Sequence, residues 1–456
     1  MLKLNDYKQW FSQNKNDLLE DYFTLLRFPS ISTDPAYSKD VHACMTWLSD
    51  YLKERGFAVE VWPTSRYPVI FATHLEAGPS RPTLLLYNHY DVQPVDPLEL
   101  WQSPPFEPTI RDNCVYARGA SDNKGQLSYT LSALRAYMDL AKQHRLNLKL
   151  FIEGEEECGS VGTSKVLVEK KKSLSADYCL VIDSGVPHAD TPAVTLGVRG
   201  MTTMEISLHN SKIDLHSGVF GGIALNPNQV LVTLLANLWE NGRVAVPGFY
   251  DEVTGLSIED WSVLDHTFDR HHCEKQFGIR AFGGEAGYSV HESNWIRPTL
   301  EINGMWGGYT GSGFKTVIPS SASAKISCRL VPKQDPDTIA KRVIEHCRRM
   351  LPKGIEMKYE IHAGGLPAYT SSKSRIVSTS KEAYKEVFGK ECSLILSSAS
   401  VPIVADLAAA TGAEMALIGT ATNEDDIHAP NEHFSLNQYH RGFLVMSRIL
   451  ALLSQS

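Results

Sequence analysis

The sequence predicts an α/β protein: a mixed-sheet α/β domain interrupted by an inserted α+β domain. Three observations carry this reading. Short, near-continuous apolar runs alternate with helical periodicity up to about residue 198, as in a sheet covered on both faces. Alternating strands and amphipathic helices then fill the middle of the chain, and the first texture returns after Pro367. At 456 residues, the chain is also too long for one compact core.

The elements follow in order. Residues 17–26 and 42–55 carry helical periodicity, while 57–62, 69–73 and 83–88 read as strands. A strand at 115–118, a helix over 126–137 and strands over 146–153 and 178–182 continue the alternation. From Arg199 onward, 201–209 reads as a half-exposed strand, 226–239 as a helix and 322–331 as a strand. An amphipathic helix at 336–350 and a strand at 355–362 complete the insert. Residues 242–313, rich in Gly, His and Trp, follow no clear period. The final part gives helix 374–388, strand 393–396, helix 401–411, strand 414–418 and helix 439–453. The expected division is therefore 1–198 with 368–456, and 199–367 as the insert.

Composition excludes several classes. Hydrophobic residues make up 43% and charged residues 21%, with a formal net charge of −8. No basic stripe exists, and Lys170-Lys171-Lys172 reads as a solvated helix end, so no nucleic-acid partner is expected. The segment from Met1 is charged and amphipathic (Trp10, Phe11, Leu18, Leu19, Tyr22, Phe23) and lacks a signal-peptide core. The most apolar stretches, near 230–238 and 443–453, are too short or interrupted to span a bilayer. Eight cysteines without C-x-x-C spacing read as free thiols, so a cytoplasmic location is expected.

The chemistry gathers where apolar runs end. His89 and Asp91 follow the run from Thr83, and lie on the same side of an extended chain. Asp122 sits in the loop Gly119-Ala120-Ser121-Asp122-Asn123-Lys124-Gly125. Glu153, Glu155, Glu156 and Glu157 close the strand at 146–153, and Asp183 follows the strand at 178–182. Ligands of open α/β sheets collect beyond the carboxyl ends of strands, so these groups could converge on one crevice. So many carboxylates together repel, and a divalent cation removes that penalty. Mixed His/carboxylate donors suit an open catalytic pair of Zn²⁺ or Mn²⁺ ions better than a closed structural zinc site.

The motifs Tyr87-Asn88-His89-Tyr90-Asp91-Val92-Gln93-Pro94, Gly119 to Gly125, Glu156-Glu157-Cys158-Gly159-Ser160 and Ile427-His428-Ala429 occur in order along the chain. Together they resemble the dinuclear metallopeptidase family of aminoacylase, glutamate carboxypeptidase and carnosinase. The segments Gly311 to Pro319 and Arg329-Leu330-Val331-Pro332 are most similar to the carnosinase-like cytosolic nonspecific dipeptidases. The resemblance implies a catalytic metallopeptidase domain with an inserted lid/dimerisation domain, and a homodimer. It implies that Asp122 bridges two metals, with His89 and Asp183 completing one site and Glu157 and His428 the other. Asp91 would orient His89, Glu156 would be the general base, and Glu155 would be a bystander. A cis peptide at Asp122–Asn123 is also implied. His216, in Asp214-Leu215-His216-Ser217-Gly218, matches the histidine that steadies the oxyanion from a partner subunit, while Arg329 matches the reader of the substrate carboxylate. Thr316 and Ser400 are further substrate-binding candidates. The expected reaction is hydrolysis of the peptide bond of dipeptides by a metal-bridging hydroxide, with Glu156 shuttling the proton.

Other signals weigh against this reading or fall outside it. A lone His is usually an ordinary surface or hydrogen-bonded residue, and His42, His144, His188, His209, His266, His433 and His440 are read so. His271-His272 beside Cys273 reads as a solvated helix face, and His291 and His362 receive no role. The glycine-rich run 308–316 resembles a phosphate loop, but Phe314 separates its last Gly from Lys315 and breaks the spacing. Residues 397–402 replace a glycine-richer turn of the dipeptidase branch, although Ser400 keeps a hydroxyl. Two rival functions stand beside the dipeptidase: an amidohydrolase/deacylase acting on N-acyl amino acids, and a catalytically silent binding protein. The proton shuttle at Glu156 argues against the silent protein.

Overall fold

The computed structural model describes residues 2–455 other than 142, 363, 399 and 402. Its apolar runs become strands β1 (Ala58–Trp62), β2 (Val69–His74), β3 (Thr83–His89), β4 (Asn147–Glu153), β5 (Tyr178–Ile182) and β6 (Ala193–Val198). The chain then builds β7 (Gly200–His209), β8 (Thr299–Gly307), β9 (Ser321–Leu330) and β10 (Glu356–Ile361). It returns with β11 (Ala368–Tyr369), β12 (Ser393–Ser397) and β13 (Glu414–Ile418). The larger sheet runs β1-β2-β4-β3-β5-β13-β6-β11, with β12 parallel beside β6. At its centre β4, β3, β5 and β13 are parallel, so their carboxyl ends share one edge.

The longer helices are α1 (Leu4–Leu26), α2 (Ser38–Glu54), α3 (Lys124–Leu140), α4 (Val161–Glu169), α5 (Pro227–Ala236), α6 (Arg270–Phe277), α7 (Pro336–Arg349), α8 (Arg375–Phe388), α9 (Ile403–Thr411) and α10 (Leu436–Leu453). Both faces of the large sheet are covered, which explains why its strands read as unbroken apolar runs. In β3, Leu84 and Leu86 enter a core with α1, α2, α3, α8 and α10, whereas Leu85 and Tyr87 enter a second core with α4 and α9. The sequence reading starts α9 at Val401; Ala399 and Pro402 lie outside the described residues.

The second sheet, ordered β8-β9-β7-β10, is antiparallel throughout. Residues of β7 alternate strictly between buried and half-buried. Met204, Ile206 and Leu208 meet Leu231, Leu234 and Leu235 of α5 and Ile339, Val343 and Ile344 of α7 in a separate core. Two of the longer strands escaped the sequence reading. β6 is buried on both faces and contains Gly197, so it shows no alternation. β8 carries Gly304 and Gly307, and its register shifts between Ile302 and Gly304, which erases the period-two signal.

The unassigned stretch 242–313 contains α6 and a π-type turn at Glu292–Ile296 before β8. Leu264 and Trp295 join the core of the large sheet rather than that of the small one. The Asp265 amide donates to the Leu394 carbonyl at 2.8 Å, and Ser393 Oγ donates to Asp265 at 2.7 Å. The stretch is thus a strap from the small sheet to the β12 edge of the large one. A three-stranded sheet of Thr109–Arg111, Cys114–Tyr116 and His433–Ser435 ties the late chain to the loop preceding α3.

Candidate metal centre

Parallel strands bring the acidic motifs together. His89 closes β3, Asp183 follows β5, Glu156 and Glu157 follow β4, and His428 lies in the segment after β13. Asp122 reaches the same edge from the loop before α3. That loop is tight: a Cβ on Gly125 would sit 2.0 Å from the Ala120 carbonyl oxygen, so only glycine fits. The Asp122–Asn123 peptide is cis.

The donors form two groups that share one residue. His89, Asp122 and Asp183 each place a ligand atom within 4.8 Å of the others, and so do Asp122, Glu157 and His428. Asp122 Oδ1 is 3.1 Å from His89 Nε2, and Oδ2 is 3.0 Å from His428 Nε2. His89 Nε2 also lies 3.5 Å from Asp183, and His428 Nε2 3.3 Å from Glu157. His89 is fully buried, whereas His428 is half exposed.

Neighbours fix each donor. His89 Nδ1 is 3.1 Å from the Asp91 carbonyl, an acceptor, so Nδ1 carries a proton and Nε2 is the nitrogen turned toward Asp122. The Asp91 carboxylate accepts from Ser32 Oγ at 2.6 Å and from the amides of Glu156 (3.3 Å) and Glu157 (3.0 Å). Asp91 therefore holds the acidic turn as well as the imidazole. Asn123 Nδ2 donates to Asp183 at 2.9 Å, and Gln93 Nε2 to Glu157 at 2.7 Å.

Two buried acids beyond the donors organise the site. Glu432 accepts from Arg118 at 2.7 Å and from the amides of Gly119, Ser121 and Asp122 at 2.9 to 3.0 Å, fastening the Asp122 loop. No motif or periodicity marks Glu432 in the sequence; its partners are about 310 residues away. Glu155 is chemically outside the cluster, as expected, but it is structurally engaged. Fully buried, it accepts from Thr64 Oγ1 and from the amides of Arg66, Tyr67 and Gly162.

The electrostatics suit a cation. Burial raises Glu156 well above the usual carboxylate range, and Asp183, Glu157 and Asp122 add to that against the opposing His89. Burial and the Asp122 charge push Glu157 up to about 7. Hydrogen bonds to Asp122 and Glu157 raise His428 to about 10. Burial alone would lower His89, yet Asp183, Asp122 and Asp91 hold it well above its ordinary value. Asp122 moves down instead, since its bonds to His428 and His89 outweigh its burial. Glu157 Oε1 is buried without a hydrogen-bond partner among the described residues. An orphaned carboxylate oxygen, crowded acids and imidazoles held between them fit divalent metal, with mixed N/O donors typical of Zn²⁺ or Mn²⁺.

A cavity of about 360 Å³ adjoins Asp122 and Asp183, lined also by Thr195, Trp295, Ser398 and Ile427. Trp295 comes from the strap and was invisible to the sequence reading. The remaining candidates lie elsewhere. His216 and Thr316 are exposed on a short ribbon in which His216 pairs with Val317; the Gly218 amide donates to His216 Nδ1 at 3.0 Å. Neither lines that cavity. Arg329, half-buried on β9, has no carboxylate partner among the described residues, and burial lowers its pKa. Ser400 Oγ donates to the Gly200 carbonyl at 3.1 Å.

Imidazole and carboxylate donors at the carboxyl edge of a parallel sheet are the equipment of metal-dependent hydrolases. Residues 85–452 match the peptidase family M20/M25/M40, and the chain belongs to that family: it is a metallopeptidase. It is 30% identical over 451 residues to the human (Homo sapiens) Beta-Ala-His dipeptidase, covering 93% of this chain and 89% of that protein. It is 29% identical to a Cys-Gly metallodipeptidase of Schizosaccharomyces pombe, over 80% of this chain and 78% of that one. Among solved structures, an M20 family metallo-carboxypeptidase from Sulfolobus solfataricus superposes with a TM-score of 0.87 at 31% identity, over 96% of this chain and 99% of that one. Human carnosine dipeptidase 1 gives 0.85 at 27% identity, over the whole of both chains.

Proposed function

We propose that this chain is a dipeptidase that hydrolyses the peptide bond of dipeptides using two divalent cations per subunit, zinc above all, with manganese as the alternative. The observation that carries the reading is the shared Asp122, whose two oxygens each face a different imidazole. His89 and Asp183 would hold one ion, Glu157 and His428 the other, with Asp122 common to both. Bound there, the cations would polarise the scissile carbonyl and acidify water. The names of the relatives support dipeptide substrates. So does the cavity, which is near the small end of the roughly 300–1,000 Å³ range of ligand pockets.

The chain's own residues then divide the work. Asp91 keeps the His89 tautomer fixed. Glu156 takes a proton from the attacking water and returns it to the leaving amine. Arg329 supplies an uncommitted guanidinium for the substrate carboxylate, assisted by Thr316 and Ser400. His216 steadies the oxyanion from a second copy of the chain. Residues 199–367 act as lid and dimerisation domain on the catalytic domain formed by 1–198 and 368–456. Apolar side chains left exposed around the His216 ribbon (Ile213, Val219, Phe220, Ile223, Phe314) support such a homodimer. All eight cysteines are free, which supports a reducing cytoplasmic location, and no helix among the described residues is long and apolar enough to cross a membrane.

The test is a substrate panel of dipeptides, longer peptides and N-acyl amino acids, run after metal removal and again after readdition. Dipeptides should be cleaved fastest, with activity lost on chelation and restored by zinc or manganese. Faster turnover of N-acyl amino acids would replace the dipeptidase reading with the deacylase. Activity unaffected by chelation would sink both.

A further inference from the structure

Two imidazoles and a carboxylate gather at the opposite end of the large sheet. His74 ends β2, Glu76 follows two residues later, and His144 lies in the connection between α3 and β4. His74 pairs with Leu148 near the start of β4, so that connection folds over the end of β2. The catalytic donors lie beyond the other end of β4, seven strand residues away, or about 20 Å.

One ligand atom from each of His74, Glu76 and His144 lies within 4.8 Å of the others. The two imidazoles meet edge to face with centroids 5.1 Å apart, and His74 Nε2 is 3.6 Å from Glu76 Oε2. Phe57 closes one side at 5.7 Å from the His74 ring, and Tyr137 another at 5.9 Å from His144. His74 is only 8% exposed, yet its Nδ1 has no hydrogen-bond partner among the described residues; His144 Nδ1 is buried and unpartnered too. Unsatisfied nitrogens of this kind are costly unless something occupies them.

We propose that His74, Glu76 and His144 form a further divalent-metal site, separate from the catalytic centre, which clips the α3–β4 connection onto the end of β2. Two imidazoles and a carboxylate are a zinc-type donor set with an open fourth position for water. Glu76 is 70% exposed and free to swing onto the ion. His144, an ordinary histidine by its sequence context, becomes a ligand because the fold sets it against a second buried imidazole.

Zinc content decides the matter. Wild type, His144→Gln and Glu76→Gln are dialysed against a micromolar free-zinc buffer, and bound zinc per chain is measured. Each variant is expected to hold one ion fewer than wild type, with full dipeptidase activity. Its melting temperature should fall below that of wild type in zinc but match it in chelator. Because the comparison is with wild type, it stands whatever number of ions the catalytic donors hold. Equal zinc content in wild type and both variants overturns the site, leaving an aromatic cluster only. Activity lost together with the ion overturns its separation from the catalytic centre. Should one variant fold poorly, the other carries the measurement.

Discussion

The metal cleft and the His216 ribbon differ in how firmly the chain holds them. In the cleft, His89 is locked by the Asp91 carbonyl, Asp183 by Asn123, Glu157 by Gln93 and the Asp122 loop by Glu432. On the ribbon, His216 has a local bond from Gly218, Thr316 is exposed, and the Phe314 side chain stands wholly in solvent. The contrast teaches where preorganisation was built. His89, Asp122, Asp183 and Glu157 are held before any ligand arrives, whereas the ribbon is fastened mainly by its own strand pairing.

Mutations can break this contrast or sharpen it. The largest effect is expected at Glu156: Glu156→Gln should cut kcat by about a thousandfold or more while metal content stays at the wild-type level. Retained turnover would remove its role as the base. Next comes Glu432→Ala, which strands buried Arg118 and frees three loop amides. It should cost about 3–5 kcal/mol in denaturant melts and weaken metal binding, although residue 432 is not among the proposed ligands.

Glu153 offers a pH test beside the cleft. Burial raises this fully buried acid to about 7, against an ordinary value of 4.5, although Tyr87 OH donates to it at 2.5 Å. The folded state therefore takes up a proton that the unfolded chain releases. Stability from this group is present in acid and declines as pH rises from about 4.5 to about 7. In metal-depleted protein, Glu153→Gln should gain about 2–3 kcal/mol on wild type between pH 5 and pH 8. No change in that difference would show that Glu153 stays ionised. The smallest effect is on the ribbon: His216→Ala should lower kcat by about a hundredfold, with fold stability and metal content unchanged. Full activity in a dimer of that variant would end the oxyanion assignment.

Much of this organisation was legible in the chain, for identifiable reasons. The strands at 178–182 and 414–418 match β5 and β13 residue for residue, because each is a buried apolar run bounded by polar residues. Four of the proposed donors, His89, Asp122, Glu157 and Asp183, stand just beyond apolar runs, whereas His428 was legible only through the resemblance of its motif. Their long-range supports were not. Glu432 sits in Pro430-Asn431-Glu432-His433, which has no period, and its role arises from contacts across the fold. Trp295 and Leu264 reach the main core from a glycine-rich strap with no period at all. Sequence pattern reports which face of an element is apolar; it does not report which distant loop an isolated acid will fasten.

The hold of Glu432 on the Asp122 loop also bears on how the protein is made. A growing chain acquires His89, Asp122 and Asp183 about 250 residues or more before Glu432, the acceptor for the Gly119, Ser121 and Asp122 amides. Until the segment around Glu432 leaves the ribosome and pairs Phe434 with Val115, three amides of the Asp122 loop lack their acceptor. The shape of the cleft thus waits on a segment made long after most of the side chains that line it.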